Sequence, residues 1–333
     1  MARGVRAVSH DLADLTTGFW VVVLTFEGHL TAVRMDDVGH EATSPGRAPG
    51  WPALEGGWRS SLERAAYVTG VEEVRSRIAA GTVYQVNLCR VLEHGLPEGV
   101  SVASLGDRIT AGNPAPYAAT IDLPEAGLEV VCASPEAYLV RRGDRITSRP
   151  IKGTAGTVSG LIAKDYAENV MIVDLVRHDL GAVSRPGTVE VEHLCAVEEH
   201  PGLVHLVSDV TGRLRPGAGW GELLAATFPP GSVSGAPKHT ALLAIADLEP
   251  VPRGPYCGAI GWVDADRDEA RLAVGIRTFW VARDAGGSRV LRFGTGAGIT
   301  WGSDAAGEWD ETELKAARLV GLATGGTQPH ARV

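Results

Sequence analysis

Short strand-like runs separated by tight turns fill much of this chain. Their spacing disfavours a sheet wound from regular strand–helix–strand units. Residues 19–26 (FWVVVLTF) and 30–35 (LTAVRM) meet around Glu27-Gly28-His29, the pattern of a β-hairpin. Residues 83–88 read as a strand, residues 130–140 and 145–152 as a second hairpin about Gly143-Asp144, and residues 257–263, 271–281 and 289–294 as a three-stranded meander. Helical periodicity marks residues 69–80, ending at Gly81, and residues 164–180, closed by Gly181; a last helix follows Ser303-Asp304. Mostly antiparallel strands with helices set outside them predict an α+β architecture.

Between expected loose ends at residues 1–18 and 323–333, residues 19–322 read as a single domain, interrupted by a Pro/Gly-rich loop at 42–57. With 40 acidic and 31 basic side chains the net charge is −9, which argues against broad binding to nucleic acid or anionic lipid. The most apolar N-terminal run, 19–26, falls far short of the roughly 20 residues that span a bilayer, and no signal-peptide pattern precedes it, so the cytoplasm is the expected compartment. Cys89, Cys132, Cys195 and Cys257 form no CxxC pair and are expected to be reduced, buried and inert.

Three constellations carry possible chemistry. Glu136 (SPEAYL) and Lys152 (RPIKGT) straddle the second hairpin turn at 144, so the expectation is that they lie almost opposite each other on neighbouring strands. They are either a cross-strand ion pair or a catalytic pair. A neutral nucleophilic lysine there needs its pKa to fall by about 3 from the usual ~10.4, which burial beside positive groups supplies. Asp165 and Glu168 open one helix and Glu308 and Glu311 another, with Lys315 four residues on. Each set shares a helical face, serving either the helix dipole or, where the sets converge, a Mg²⁺ ion. Gly294-Thr295-Gly296-Ala297-Gly298 lacks the full dinucleotide fingerprint and reads better as a nest of backbone N–H groups for an anion. Arg277 and His205 each sit among apolar residues: Arg277 is a structural partner or a carboxylate clamp, His205 a core residue or a functional one.

The motifs GTVYQVNL (81–88), SPEAYL (134–139), RPIKGT (149–154), KDYAENVMIVDLVRHDLG (164–181), HLVS (205–208), FPPGSVSGAPK (228–238), RGPYCGAIGW (253–262), GIRT (275–278), GTGAGI (294–299) and EWDETELKA (308–316) occur in that order. Through them the chain resembles the chorismate-utilising enzymes, most closely the aminodeoxychorismate synthase component I branch of para-aminobenzoate and folate synthesis. The resemblance implies a large sandwich of antiparallel sheets with outer helices. It implies that Lys152 attacks C2 of chorismate as the C4 hydroxyl leaves, that Glu136 acts as general acid and then base while ammonia enters at C4, and that His205 assists at the ring. By the same resemblance Glu168 and Glu311 hold Mg²⁺ with Asp165 and Glu308 on its waters, while Thr154, Tyr256, Arg277, Lys315 and the amides of Gly296 and Gly298 hold carboxylates, with Gly153 beside the nucleophile. A lysine in PIKGT is typical of aminodeoxychorismate enzymes, whereas anthranilate synthases usually carry a small residue there; Gln85 stands where isochorismate synthases use a lysine base. The alternatives are an anthranilate synthase component I or a catalytically silent chorismate-binding subunit. No glutaminase elbow (GxCxGxQ) is present, so ammonia is expected from a separate glutamine amidotransferase subunit or from solution. Relatives carry a further segment before the strand matching 19–26, so their tryptophan-binding regulatory pocket is expected to be absent or incomplete here.

Overall fold

The structure is a computed structural model describing residues 1–39, 50–200 and 203–325; the side chains of Thr154, His200 and Leu203 fall outside that description. In chain order the elements begin β1 (Ala2–Ser9), β2 (Phe19–Leu24), β3 (Leu30–Val38), β4 (Arg59–Ser60), α1 (Arg64–Ala79), β5 (Gln85–Gly95), α2 (Ala103–Gly112) and β6 (Tyr117–Leu123). They continue with β7 (Leu128–Ser134), β8 (Ala137–Arg142), β9 (Arg145–Arg149), β10 (Ile151–Ala155), α3 (Ala163–Gly181), β11 (Glu190–His200) and β12 (Leu203–Arg213). The last are α4 (Trp220–Thr227), β13 (Gly235–Ala236), α5 (Lys238–Leu248), β14 (Ala259–Asp264), β15 (Glu269–Val274), β16 (Thr278–Arg283), β17 (Arg289–Ile299) and α6 (Ala305–Thr324).

Among the described residues these strands form two antiparallel sheets. One runs β1-β3-β2-β14-β15-β8-β9-β12-β10 with β11 beside β12; the other runs β13-β5-β17-β16-β7-β6 with β4 beside β5. Their apolar faces meet in one core that includes Val22, Leu139, Ile260 and Leu272 from the first sheet and Val91, Val130 and Trp280 from the second. Helices cover the outside for the reason their sequences predict. In α1, Tyr67, Val71 and Val74 share one face and pack with Val86 and Leu88. In α2 and α6, Leu105, Ile109 and Leu319 pack on Phe279 and Phe293. Each such fully buried side chain contributes about 1.5–3 kcal/mol through the apolar surface it removes from water.

The α+β class and the sandwich expected from the resemblance are both observed, with local corrections. Residues 1–18 are not a loose end: β1 pairs with β3, and a short helical turn follows at Leu12–Asp14. Residues 323 and 324 are the last of α6, while 326–333 and 42–49 lie outside the described residues. The meander is two hairpins on different sheets. The chain breaks at Gly275-Ile276-Arg277, where Arg277 adopts φ +53°, and passes from β15 in the first sheet to β16 in the second. The 130–140 strand is likewise two strands, since Pro135-Glu136 carries the chain from β7 to β8. These two crossings run side by side, tied by the Ala133 N–H to the Arg277 carbonyl (3.0 Å) and the Val274 N–H to the Glu136 carbonyl (3.1 Å).

Candidate active site

The crossings place Glu136 and Arg277 at the seam between the sheets. There a cavity of about 550 Å³ is lined by Glu136, Lys152, Gly153, Tyr256 and Arg277, by His205 on β12, and by Gly296 and Gly298 on β17. Its helical wall is Lys164, Asp165 and Glu168 of α3 with Glu308, Glu311 and Lys315 of α6. Spacings of three and four residues put each helix's carboxylates on one face, as expected, and the fold turns both faces inward. Thirteen of the fourteen residues expected at the site therefore line one cavity; for Thr154 the backbone is paired opposite His205 and the side chain lies outside the description.

Glu136 and Lys152 reach the cavity by a different route from the one expected. The β8–β9 ladder ends at Ala137↔Arg149, so Glu136 lies beyond it, level with Pro150-Ile151. Lys152 belongs to β10, which continues the line of β9 along β12 after the break at Pro150. Proline has no N–H to give a ladder, and the pairing stops there. The Glu136 carboxylate is 4% exposed, takes a 2.6 Å hydrogen bond from the Ser232 hydroxyl, and is approached by the Ile151 N–H. Burial raises its pKa to about 7 despite Ser232 and the nearby Lys152 charge, which act in the opposite direction. Burial lowers the pKa of Lys152; the carboxylates Glu168 and Glu136 oppose that and Lys315 reinforces it. An amine made less basic and a carboxyl made less acidic face one space, which suits nucleophilic and proton-transfer work.

The glycine run 294–298 is a correction. It lies inside β17, paired residue for residue with β5, so it forms no nest of successive free N–H groups. What Gly298 supplies is room: a Cβ there would stand 2.5 Å from Gln85 Nε2 and 3.5 Å from Lys152 Nζ. Gly153, at φ +89°, lets β10 pass α3, since a Cβ would meet that of Asp165 at 2.8 Å.

The remaining residues divide by partner. Arg277 pairs with no carboxylate among the described residues, and burial with the Arg318 charge lowers its pKa, so its guanidinium is available to an anion. Its left-handed backbone is the kind of strain that gathers at functional sites. Lys315 is held by Glu311 at 2.6 Å and by the Gly296 carbonyl at 3.0 Å. Tyr256 is 4% exposed beside Cys89, and His205 is 3% exposed. The cysteines are all free, but Cys195 is half-buried rather than buried.

Among the described residues no three His, Cys, Asp or Glu side chains are arranged as a ready metal site. The carboxylates nonetheless suit a hard cation that takes only one or two protein ligands. Among the described residues Glu168 Oε1 is buried with no hydrogen-bond partner, and the ammonium of Lys164 stands 3.6 Å from it and 3.9 Å from Glu308. Burial raises the pKa of Glu308; burial also acts to raise that of Glu311, but Lys315, Lys164 and Lys152 outweigh it and hold it low. Ser232 and Lys164 were not singled out from the sequence. The signals were there: Ser232 lies in the turn-rich FPPGSVSG run, and Lys164 is four residues before Glu168.

The chorismate binding enzyme family matches residues 27–321. Anthranilate synthase component 1 of Streptomyces coelicolor is 37% identical over 276 residues, 79% of this chain and 52% of that protein. Aminodeoxychorismate synthase component 1 of Bacillus subtilis is 33% identical over 277 residues, 80% of this chain and 57% of that protein. The chain thus spans just over half the length of these curated relatives. Among solved structures, anthranilate synthase component I from Streptococcus pneumoniae superposes with a TM-score of 0.77 at 23% identity, covering 96% of this chain and 83% of that one. The menaquinone-specific isochorismate synthase MenF of Escherichia coli gives 0.77 at 19% identity, covering 97% and 85%. At these identities the superpositions establish the fold.

Proposed function

The chain belongs to the chorismate-binding enzyme family, and on that premise we propose that it converts chorismate and ammonia to 4-amino-4-deoxychorismate without releasing pyruvate. The observation that carries this reading is the shared cavity of Lys152 and Glu136, with the amine's pKa displaced downward and the carboxyl's upward.

In this mechanism the Lys152 amine attacks C2 of chorismate while the Glu136 carboxyl gives its proton to the departing C4 hydroxyl, which leaves as water. Ammonia then bonds to C4, Glu136 takes back a proton, and the bond from C2 to Lys152 breaks, restoring both side chains. Arg277 clamps a substrate carboxylate, Tyr256 and His205 close on the ring, and Lys315 can exchange its hold on Glu311 for a substrate oxygen. Gly296 and Gly298 let the substrate approach the sheet, and Gly153 sets Lys152 against α3; Thr154 is retained as a carboxylate contact. Glu168 and Glu311, with Asp165 and Glu308 behind them, are the residues that would hold Mg²⁺, which supplies positive charge to the ring carboxylate of a dianionic substrate. That local charge matters in a chain of net charge −9.

Anthranilate synthase is the second reading, favoured by the 37% identity to relatives of that name. Lys152 supports amination without elimination, because its resemblance is to the aminodeoxychorismate branch. The component 1 names of the relatives suggest a second component, which we take to be a separate glutamine amidotransferase delivering ammonia. Among the described residues no helix is long and apolar enough to cross a membrane; the proposed compartment is the cytoplasm. The reading is tested by incubating the protein with chorismate, Mg²⁺ and ammonium salt, with and without an aminodeoxychorismate lyase. Para-aminobenzoate formed only with the lyase is expected; anthranilate fluorescence without it would overturn the assignment.

A further inference from the structure

Beside the main cavity, and sharing Glu136 and Ser232 with it, lies a second cavity of about 20 Å³. That is room for one water, which needs roughly 10–15 Å³. Glu136 and Ser232 line both cavities and so form the wall between them. Across the small cavity stand Asp179, Tyr138, Ser148 and Thr227. Asp179 is 7% exposed and takes a 2.6 Å hydrogen bond from Lys238, which also donates to the Thr227 carbonyl at 3.2 Å. The Thr227 hydroxyl donates to the Leu223 carbonyl (2.8 Å), so the 2.6 Å bond it shares with Tyr138 has the tyrosine as donor. On its other oxygen Asp179 lies 3.4 Å from Nδ1 of His178, whose side chain is 82% exposed. Two buried carboxyl groups therefore line one water-sized space. One opens to the substrate and the other touches a solvent-exposed histidine.

This arrangement answers a need of the reaction proposed above, and the inference rests on that reading of Glu136. Glu136 must begin each cycle protonated, yet bound substrate covers the side through which solvent would reach it. With a pKa near 7 and with Lys152 facing it, much of the population enters as carboxylate at neutral pH.

We propose that the small cavity holds one water that passes protons between Asp179 and the Glu136–Ser232 pair, protonating Glu136 from the His178 surface while substrate fills the main cavity. A proton entering at His178 moves to Asp179, from there to the water, and through the Ser232 hydroxyl to Glu136 Oε1. Each group takes one proton and gives one, and no bond to carbon changes. Lys238 holds Asp179 in place. Tyr138 stays a neutral donor, its pKa raised by burial and by the Asp179 charge.

Two variants test the path without touching the substrate cavity. Ser148→Val fills the water space and leaves every charge in place; Asp179→Asn removes the carboxylate. Each is expected to lower kcat for chorismate amination by about tenfold or more, with KM for chorismate unchanged and the solvent deuterium isotope effect on kcat raised about twofold. An unchanged kcat and isotope effect in folded Ser148→Val overturns the relay, whether or not Asp179→Asn folds. A crystal structure with the small cavity dry overturns it as well. A parent protein that fails to aminate chorismate removes the reaction and the relay with it, whereas an active parent with unaffected variants removes the relay alone.

Discussion

The cavity has two unlike walls. On the sheet side Glu136, Lys152 and Arg277 are fixed by ladders and crossings, and burial displaces all three pKa values toward the neutral form. On the helix side Glu168, Glu308 and Glu311 neutralise one another's surroundings through Lys164 and Lys315 in ion pairs of 2.6–3.9 Å, and Glu311 is about half exposed. The first wall is buried, which suits covalent and proton-transfer chemistry. The second is a field of paired charge, which under the proposed function would exchange a lysine for a cation or a substrate carboxylate. Under the proposed function the sheets make bonds and the helices balance charge.

Substitutions on the two walls should then fail differently. The largest effect expected is from Lys152→Ala, which removes the nucleophile and lowers kcat by about a thousandfold or more; steady-state amination rates check it, and an undiminished rate would erase the distinction between the walls. Glu136→Gln should cost about 10²–10⁴ in kcat with KM little changed. On the helix wall, Glu168→Gln should raise the Mg²⁺ concentration for half-maximal rate by roughly 10–100-fold while kcat at saturating Mg²⁺ stays within a few-fold. An equal loss in kcat at saturating metal would place Glu168 in the bond-making group instead.

How far these walls could be read in advance differs as well. The helix wall was legible because a helix fixes which residues share a face: Asp165 with Glu168, and Glu308 with Glu311 and Lys315, follow from spacing alone. Their convergence depends on packing that no local pattern encodes. The sheet wall was legible in its residues but not its geometry. Counting from the turn sets Glu136 opposite Lys152, whereas the break at Pro150 and the ladder shift between Ala137 and Val140 offset the two in register. The transfers between sheets at Glu136 and at Arg277 leave no mark in the sequence, because an apolar run reads alike whether it stays in one sheet or crosses to another. β1 carries little strand signal, because ARGVRAVS is an exposed edge strand with little apolar alternation.

A smaller effect concerns stability and separates the walls again. Because the folded-state pKa of Glu136 lies at about 7, above its ordinary 4.5, protonated Glu136 favours the folded state, and that contribution is lost as pH rises from 4.5 through 7. Glu136→Gln should therefore gain stability relative to the parent by about 3 kcal/mol across that window, read from denaturant midpoints at pH 4.5 and 8. Glu311→Gln should instead be the less stable protein at neutral pH, since pairing with Lys315 lowers the pKa of Glu311; that contribution is present above pH 4.5 and is lost as pH falls below it, and it amounts to well under 1 kcal/mol because the pair is half exposed.

A covalent bond from the sheet wall to substrate should be visible by intact-protein mass spectrometry after rapid mixing with chorismate and Mg²⁺ in the absence of ammonia. The expected product is a species heavier by chorismate less one water, mapped to Lys152 and missing from Lys152→Ala. An adduct that survives in Lys152→Ala, or amination proceeding at the parent's rate in that variant, would contradict it.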